Sequence, residues 1–337
     1  MMKIGAFGEV MLRLTPPEYR LLEQSHTVRM DYTGTGVNIL GNLAHFGLDT
    51  WMLTNVPDNR LGDAAKNSLQ QFGMKTDFVG KHHNHLGSYF AEIGFGARPT
   101  QVTYQNRHGS SFGVSEPDNY PMDAFLATVD LVHICGISLS LTDATWASAK
   151  TLAQKAHRQQ KKVCFDFNFR PSLNTEEGKK ALMKARYEEI LSYCDIVFGT
   201  PRDLIELLQL TNESVTDEKA EQQLIRSFLK KYDIEWFAGT KRLHQEEKQW
   251  IAGRIVTKED VIETEPQLLT VLDRIGAGDA YAAGVLLGYA ENWSLEKTAT
   301  FGITNAVLAH TMLGDVPLTT REQVQQVIDH PGIDLIR

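Results

Sequence analysis

The stretch Asp273-Arg274-Ile275-Gly276-Ala277-Gly278-Asp279-Ala280-Tyr281 decides how the rest of this chain is read. Two glycines around an alanine lead into an aspartate, and the small and apolar residues Ala282, Ala283, Val285, Leu286 and Leu287 that follow suit a helix. Upstream, Leu268-Leu269-Thr270-Val271-Leu272 is short, apolar and β-prone, so the order strand, glycine turn, helix is expected. Such an order aims unpaired backbone N–H groups at the positive end of a helix, which suits phosphate oxygens. A carboxylate has no place in a phosphate cradle unless it does chemistry or organises a cation. Asp279 is therefore the first candidate for a general base that deprotonates an attacking hydroxyl. Its plainer reading is a tight turn with Asp279 as helix N-cap.

The remainder of the chain alternates strand and helix signals. Lys3 to Glu9 reads as a buried strand ending in a Gly-Glu turn, and Ile39 to Phe46 as a helix closed by Gly47. Trp51–Val56 is a strand, Leu61–Phe72 a helix ended by Gly73, and Thr76–Val79 a strand. The pattern resumes with strands Leu131–Cys135, Val163–Asp166, Ile196–Phe198 and Ile234–Ala238. Helices are expected near 142–159, 178–192, 201–209, 217–231, 295–312 and 321–328. These are βαβ units around a largely parallel sheet, an α/β fold. Two segments break the rhythm, about 9–33 and 87–112. Val10–Leu14, Thr27–Tyr32, Ser88–Ile93 and Gln101–Gln105 alternate as strands with no helix between them. They predict a small antiparallel sheet outside the main one, a candidate lid over a crevice. One domain over residues 1–337 with an inserted lid fits this order better than two independent domains.

A net charge of -8 over 337 residues, without a block of Lys or Arg, argues against nucleic acid and anionic membrane as partners. Cys135, Cys164 and Cys194 lie far apart in apolar surroundings and read as buried thiols of a reduced, cytoplasmic protein. No secretory signal pattern opens the chain, and no apolar run approaches the ~18 residues of a membrane span. Neither Gly-x4-Gly-Lys-Ser/Thr nor a Gly-x-Gly-x-x-Gly after the first strand occurs, so a P-loop or a dinucleotide dehydrogenase is unsupported.

Gly34-Thr35-Gly36-Val37-Asn38 lies between a lid strand and a helix. Its glycines permit close backbone approach, and Asn38 offers a donor and an acceptor to hydroxyls, or else caps the helix. Asp166-Phe167-Asn168-Phe169-Arg170-Pro171 follows a strand, so its polar residues project at the ligand-binding edge of an open α/β sheet. Arg170 could grip a carboxylate or a transferring phosphoryl group. His82-His83-Asn84-His85 lacks zinc-site spacing and reads as a solvated loop.

Over essentially its whole length the chain resembles the PfkB, or ribokinase-like, carbohydrate kinases. Asp273 to Tyr281 looks like that family's C-terminal signature, Gly34 to Gly47 is similar to its N-terminal one, and Pro57-Asp58-x-x-x-Gly62 also fits. Within the family the chain looks most like the 2-keto-3-deoxygluconate kinases, through Gly8 to Leu14, Asp166-x-Asn168-x-Arg170, Arg274 and His310 to Asp315. The resemblance implies a ribokinase-like three-layer α/β/α sandwich with a β lid that also forms a dimer or higher homo-oligomer. It implies ATP with Mg2+, a monovalent cation as a further candidate, and phosphoryl transfer to a primary hydroxyl of a small sugar acid. Carried over by position, Asp279 is the base, and Gly276, Ala277 and Gly278 form the anion hole. Gly34, Thr35, Gly36, Val37 and Asn38 line the sugar, with Tyr89, Tyr104 and Arg107 reaching it from the lid. Arg170 lies between sugar and phosphate, Asn168 near both substrates, and Thr240, Lys241 and Arg242 border the nucleotide. Thr200-Pro201-Arg202-Asp203 stands where the family has Asn-x-x-Glu, so Asp203 alone is left as the candidate acid toward the metal. The alternatives are a kinase for fructose or another neutral sugar, and a non-catalytic sugar or nucleotide sensor on the same fold.

Overall fold

A computed structural model describes residues 1–170, 174, 178–211, 215, 217–245 and 247–332; Pro171, which closes the predicted turn after Arg170, lies outside them. From the N-terminus, β1 (Ile4–Phe7) is followed by β2 (Met11–Thr15), β3 (Arg29–Thr33), α1 (Thr35–His45), β4 (Thr50–Val56), α2 (Arg60–Gln71) and β5 (Val79–Lys81). A second pair of strands, β6 (Ser88–Glu92) and β7 (Gln101–Gln105), precedes α3 (Ser111–Val114), α4 (Met122–Thr128), β8 (Leu131–Cys135), α5 (Ile137–Ser140), α6 (Asp143–Arg158) and β9 (Lys162–Asp166). Then come α7 (Lys179–Leu191), β10 (Ile196–Phe198), α8 (Glu218–Tyr232), β11 (Trp236–Gln245), β12 (Lys248–Val256), β13 (Val261–Glu263) and β14 (Gln267–Leu268). Helices α9 (Ala277–Ala290), α10 (Leu295–Ala309) and α11 (Arg321–Asp329) follow.

The strands β1, β4 and β8 are buried along their whole length, as expected of apolar runs covered on both faces of a sheet. The main sheet runs β13-β12-β11-β10-β9-β8-β1-β4-β5, with β14 also on β12. From β5 to β11 every pairing is parallel, and β12, β13 and β14 add antiparallel neighbours at one edge. One apolar cluster joins Leu40, Leu69, Leu286, Phe301 and Val324 from α1, α2, α9, α10 and α11. Another joins Phe125, Leu152, Tyr187 and Phe228 from α4, α6, α7 and α8. Two helical layers on a central sheet make the three-layer α/β/α sandwich of the ribokinase-like fold. The three cysteines are buried free thiols.

The second sheet has the order β3-β2-β6-β7. Its two hairpins are antiparallel, but β2 runs parallel to β6, with Leu12 opposite Ser88 and Leu14 opposite Phe90. The lid segment also ends earlier than 112, because Phe112 sits in α3 within the main core.

Three local expectations change. The strand expected over Leu268–Leu272 shrinks to Gln267–Leu268, since the N–H groups of Leu272 and Asp273 turn to the His310 carbonyl at the end of α10. The strand expected at Thr76–Val79 begins only at Val79, whose N–H closes a turn onto the Thr76 carbonyl. The helix expected near 201–209 is a single wide turn over Asp203–Leu207. The long β12 follows β11 directly as an antiparallel neighbour with no helix between them, so strand–helix alternation gives no sign of it.

Candidate active site

A cleft of about 670 Å³ opens between the two sheets. The carboxyl ends of β9 and β10 contribute Asp166 and Phe198, the first half of β11 contributes Ala238 and Thr240, the start of α9 contributes Gly276 and Asp279, and the lid contributes Tyr89 and Tyr104. Open α/β sheets bind ligands beyond this edge because successive helices leave it there.

The turn before α9 is built around Gly276, whose φ is +85. A Cβ there would lie 2.0 Å from the Asp315 carbonyl oxygen, so glycine alone fits. Asp279 is the third residue of α9, inside the helix, which replaces its reading as an N-cap. The N–H groups of Ala277, Gly278 and Asp279 have no partner within the helix at these positions, and they face the region where an anion would sit. Gly278 lines the cleft, and a Cβ on it would meet no atom within 4 Å. Gly278→Ala is therefore expected to keep the thermal midpoint within about 2 °C. It should raise KM for a phosphate-bearing substrate about tenfold or more, because the methyl group would occupy ligand space. Thermal unfolding and steady-state kinetics on the same preparation check both halves.

The Asp279 carboxylate accepts a hydrogen bond from Asn38 Nδ2 at 2.6 Å. Burial pushes its pKa up to about 8; the Asn38 amide and Arg170 oppose this, while Asp166 and Asp315 reinforce it. Asp166 is likewise raised by burial, to about 7. Asp203 is raised too, by burial, although Oδ2 accepts from the Thr200 N–H at 2.7 Å and hydroxyl at 2.8 Å.

Gly34, Thr35, Asn38, Tyr89, Tyr104, Arg107, Asn168, Arg170, Asp203, Thr240, Gly276, Gly278 and Asp279 all line this cleft. Gly36 and Val37 do not, and are buried. Because α1 starts at Thr35, the helical period turns Thr35 and Asn38 toward the cleft and the two residues between them toward the core. Ala277 is buried and contributes backbone only. Of the predicted nucleotide segment only Thr240 lines the cleft. Lys241 pairs with Glu263 at 3.0 Å, and Arg242 contacts His310 Nε2 at 3.3 Å. Alternation along β11 turns Lys241 to the opposite face, whereas Arg242 shares the face of Thr240 but lies further along the strand, beside His310. Asn168, with φ +36, donates to Thr35 Oγ1 at 3.2 Å, so a strained residue ties the end of β9 to α1.

Arg107 is not a free cation. Its guanidinium pairs with the buried carboxylate of Glu9 and lies 4.8 Å from the Tyr104 ring, with Nη1 left unpartnered. Arg170, by contrast, is exposed on the cleft and lowers the proton affinity of both Asp166 and Asp279.

Residues outside the predicted set complete the site. Arg13, on lid strand β2, is fully buried between Asp273 at 2.6 Å and Asp315. Asp273 in turn accepts the Ile275 N–H at 3.1 Å and shapes the glycine turn. Tyr89 donates to Asp315 Oδ2 at 2.6 Å. Glu9, Asp166 and Arg274 also line the cleft. Of these, Arg13 carried the clearest signal, a lone arginine in an apolar alternating strand.

The sequence matches the pfkB family carbohydrate kinases over residues 1–319. It is 57% identical to a proposed 2-keto-3-deoxygluconate kinase from Enterococcus faecalis, with a TM-score of 0.97 and 100% and 99% of the two chains covered. The structure of 2-dehydro-3-deoxygluconokinase from Thermotoga maritima is 26% identical, with a TM-score of 0.91 and coverage of 97% and 98%. The 2-dehydro-3-deoxygalactonokinase of Haloferax volcanii is 24% identical over 336 residues, 98% of this chain and 99% of its own. With a carboxylate-bearing glycine turn, a cleft between the two sheets and a family match over residues 1–319, the chain belongs to the pfkB family of carbohydrate kinases.

Proposed function

We propose that this kinase transfers the γ-phosphoryl group of ATP to the terminal primary hydroxyl of 2-keto-3-deoxygluconate, giving the 6-phospho product. The observation that carries this reading is the joint placement, on one cleft, of Asp279 at the glycine turn and of the exposed Arg170. A sugar acid entering a protein of net charge -8 needs local arginine.

In this reading Asp279 takes the proton of the acceptor hydroxyl, and Asn38 holds the carboxylate toward it. The N–H groups at the start of α9 hold the phosphate oxygens as charge shifts toward the leaving group. Arg170 offsets negative charge between the two substrates. Phosphoryl transfer demands chiefly positioning and charge neutralisation, and these groups supply both. Thr240 borders the nucleotide, and Tyr89 and Tyr104 close over the sugar.

Among the described residues no group of three or more His, Cys, Asp or Glu is placed to hold a metal ion. Mg2+ needs no such cage, since one or two carboxylates and the substrate phosphates suffice. Asp203 and Asp166 are all-oxygen donors lining the cleft and fit that role. Bound there, the ion would neutralise charge on the transferring phosphates. No helix among the described residues is long and apolar enough to cross a membrane. We also assign homo-oligomer contacts to the lid, whose edge strand β7 is exposed throughout and carries Val102 and Tyr104.

Phosphorylation dependent on ATP and Mg2+ is to be measured across 2-keto-3-deoxygluconate, its galactonate-derived epimer, fructose, ribose and gluconate. Turnover confined to the keto-deoxy acids is expected, and turnover on fructose or ribose alone would discard the carboxylate argument. Arg170→Ala should lower kcat/KM for the keto-deoxy acid by about 10- to 100-fold. If a neutral ketose is turned over and loses as much, Arg170 serves the phosphate and not the carboxylate. The Haloferax volcanii relative favours the galactonate-derived epimer as a second substrate.

A further inference from the structure

The hydroxyl of Thr33 faces two acceptors with one proton. Thr33 Oγ1 lies 3.1 Å from Asn38 Oδ1 and closer still to Asp315 Oδ2. A threonine hydroxyl can donate to only one of them. Asp315, a carboxylate against the Arg13 guanidinium, can only accept, and it already receives the Tyr89 hydroxyl. Thr33 and Asn38 are both buried, which limits water as a substitute donor.

Two proton arrangements satisfy the cluster. With Asp279 ionised, Asn38 Nδ2 donates to it and Asn38 Oδ1 faces Thr33, and a hydrogen bond to that oxygen draws the Thr33 proton away from Asp315. With Asp279 protonated, its own hydroxyl donates to Asn38 Oδ1. The amide is then reversed, Nδ2 donates to Thr33 Oγ1, and Thr33 donates to Asp315. Each arrangement gives the Thr33 hydroxyl one acceptor and the Asn38 amide one bond on each side, and they differ by one proton on Asp279, one amide reversal and one hydroxyl rotation.

We propose that Thr33 is a positioning residue that switches its hydroxyl between Asp315 and Asn38 as Asp279 gains or loses a proton, so that the lid strand it belongs to senses the state of the base. This rests on the reading of Asp279 as base. Capture of the acceptor's proton turns the Asn38 amide, and Thr33 then re-forms its bond to the Asp315 carboxylate that also holds Tyr89 and Arg13. Ionising Asp279 forfeits that charge-assisted bond, which opposes loss of the proton. The other groups facing Asp279 are Asp166 and Arg170, whose effects oppose each other, and Asp315, which also disfavours ionisation.

The test is a carboxyl-carbon NMR titration of the full chain labelled at aspartate, with the Asp279 signal identified by its loss in Asp279→Asn. In the wild type the midpoint is expected well above the ordinary carboxylate range. Thr33→Val, isosteric and suited to a strand, should lower it by about half a pH unit or more. Thr33→Ser should restore the wild-type midpoint, and Thr33→Cys, a poor donor, serves if valine is not tolerated. An unmoved or raised midpoint in the valine variant overturns the proposal, as does an ordinary wild-type midpoint. A purely structural role for Thr33 would alter the folded fraction and leave the midpoint in place. Failure of the base assignment is read separately, from turnover by Asp279→Asn.

Discussion

Asp279→Asn is expected to lower kcat by about 10³- to 10⁴-fold while leaving nucleotide affinity within a few-fold. Asparagine keeps the size of the side chain and an oxygen for the Asn38 amide, so the fold of the turn is preserved and only proton acceptance is lost. Near-normal turnover would remove Asp279 from the role of base. The pH dependence of the wild type carries a second check. Burial raises Asp279 to about 8, and a base works only when deprotonated, so kcat/KM should fall as pH drops through that region.

Stability should move the opposite way. In the unfolded chain the carboxyl ionises near its ordinary value of 3.8, whereas the folded Asp279 holds its proton up to about 8. Stability is therefore lost progressively as pH rises through that window, and Asp166, raised to about 7, adds to the loss. Asp279→Asn should consequently melt higher than the wild type at pH 8, by a gap that closes toward pH 4. An inactive variant that is more stable is the pattern of a site that gives up stability for chemistry.

Arg13→Met is expected to destabilise the protein by about 3–5 kcal/mol at pH 8. Arg13 is fully buried, and its removal leaves Asp273 and Asp315, both buried, without their shared counter-charge. Denaturant unfolding of wild type and variant at pH 8 measures it. A loss below about 1 kcal/mol at pH 8 would show the network to be dispensable for the fold. The damage should also reach the glycine turn, because Asp273 accepts the Ile275 N–H and the Asp315 backbone packs on Gly276.

Much of the fold was legible before any coordinates. Apolar runs such as Trp51–Val56 and Leu131–Cys135 became central strands because a sheet covered on both faces admits little else. Gly47 and Gly73 ended helices as read, each at positive φ. The edge was harder. Nothing in the local pattern of Gln267 to Asp273 announces that the N–H groups of Leu272 and Asp273 belong to the His310 carbonyl, a partner far along the chain.

By itself the sequence determined the alternation that makes the α/β sandwich, the lid strands, and the glycine turn carrying Asp279. These depend on local periodicity and backbone geometry, which residue order encodes directly. Tertiary structure alone decided which charges are free and which are spent. Arg107 was expected to reach the sugar from the lid but is already paired with Glu9, whereas Arg170 stays open to the cleft. Arg13, Asp273 and Asp315 meet across 302 residues of chain, and Thr33 finds two acceptors on either side of its one proton. Pairings of this kind arise from burial and long-range packing, where the energy of a charge depends on neighbours that no local window contains.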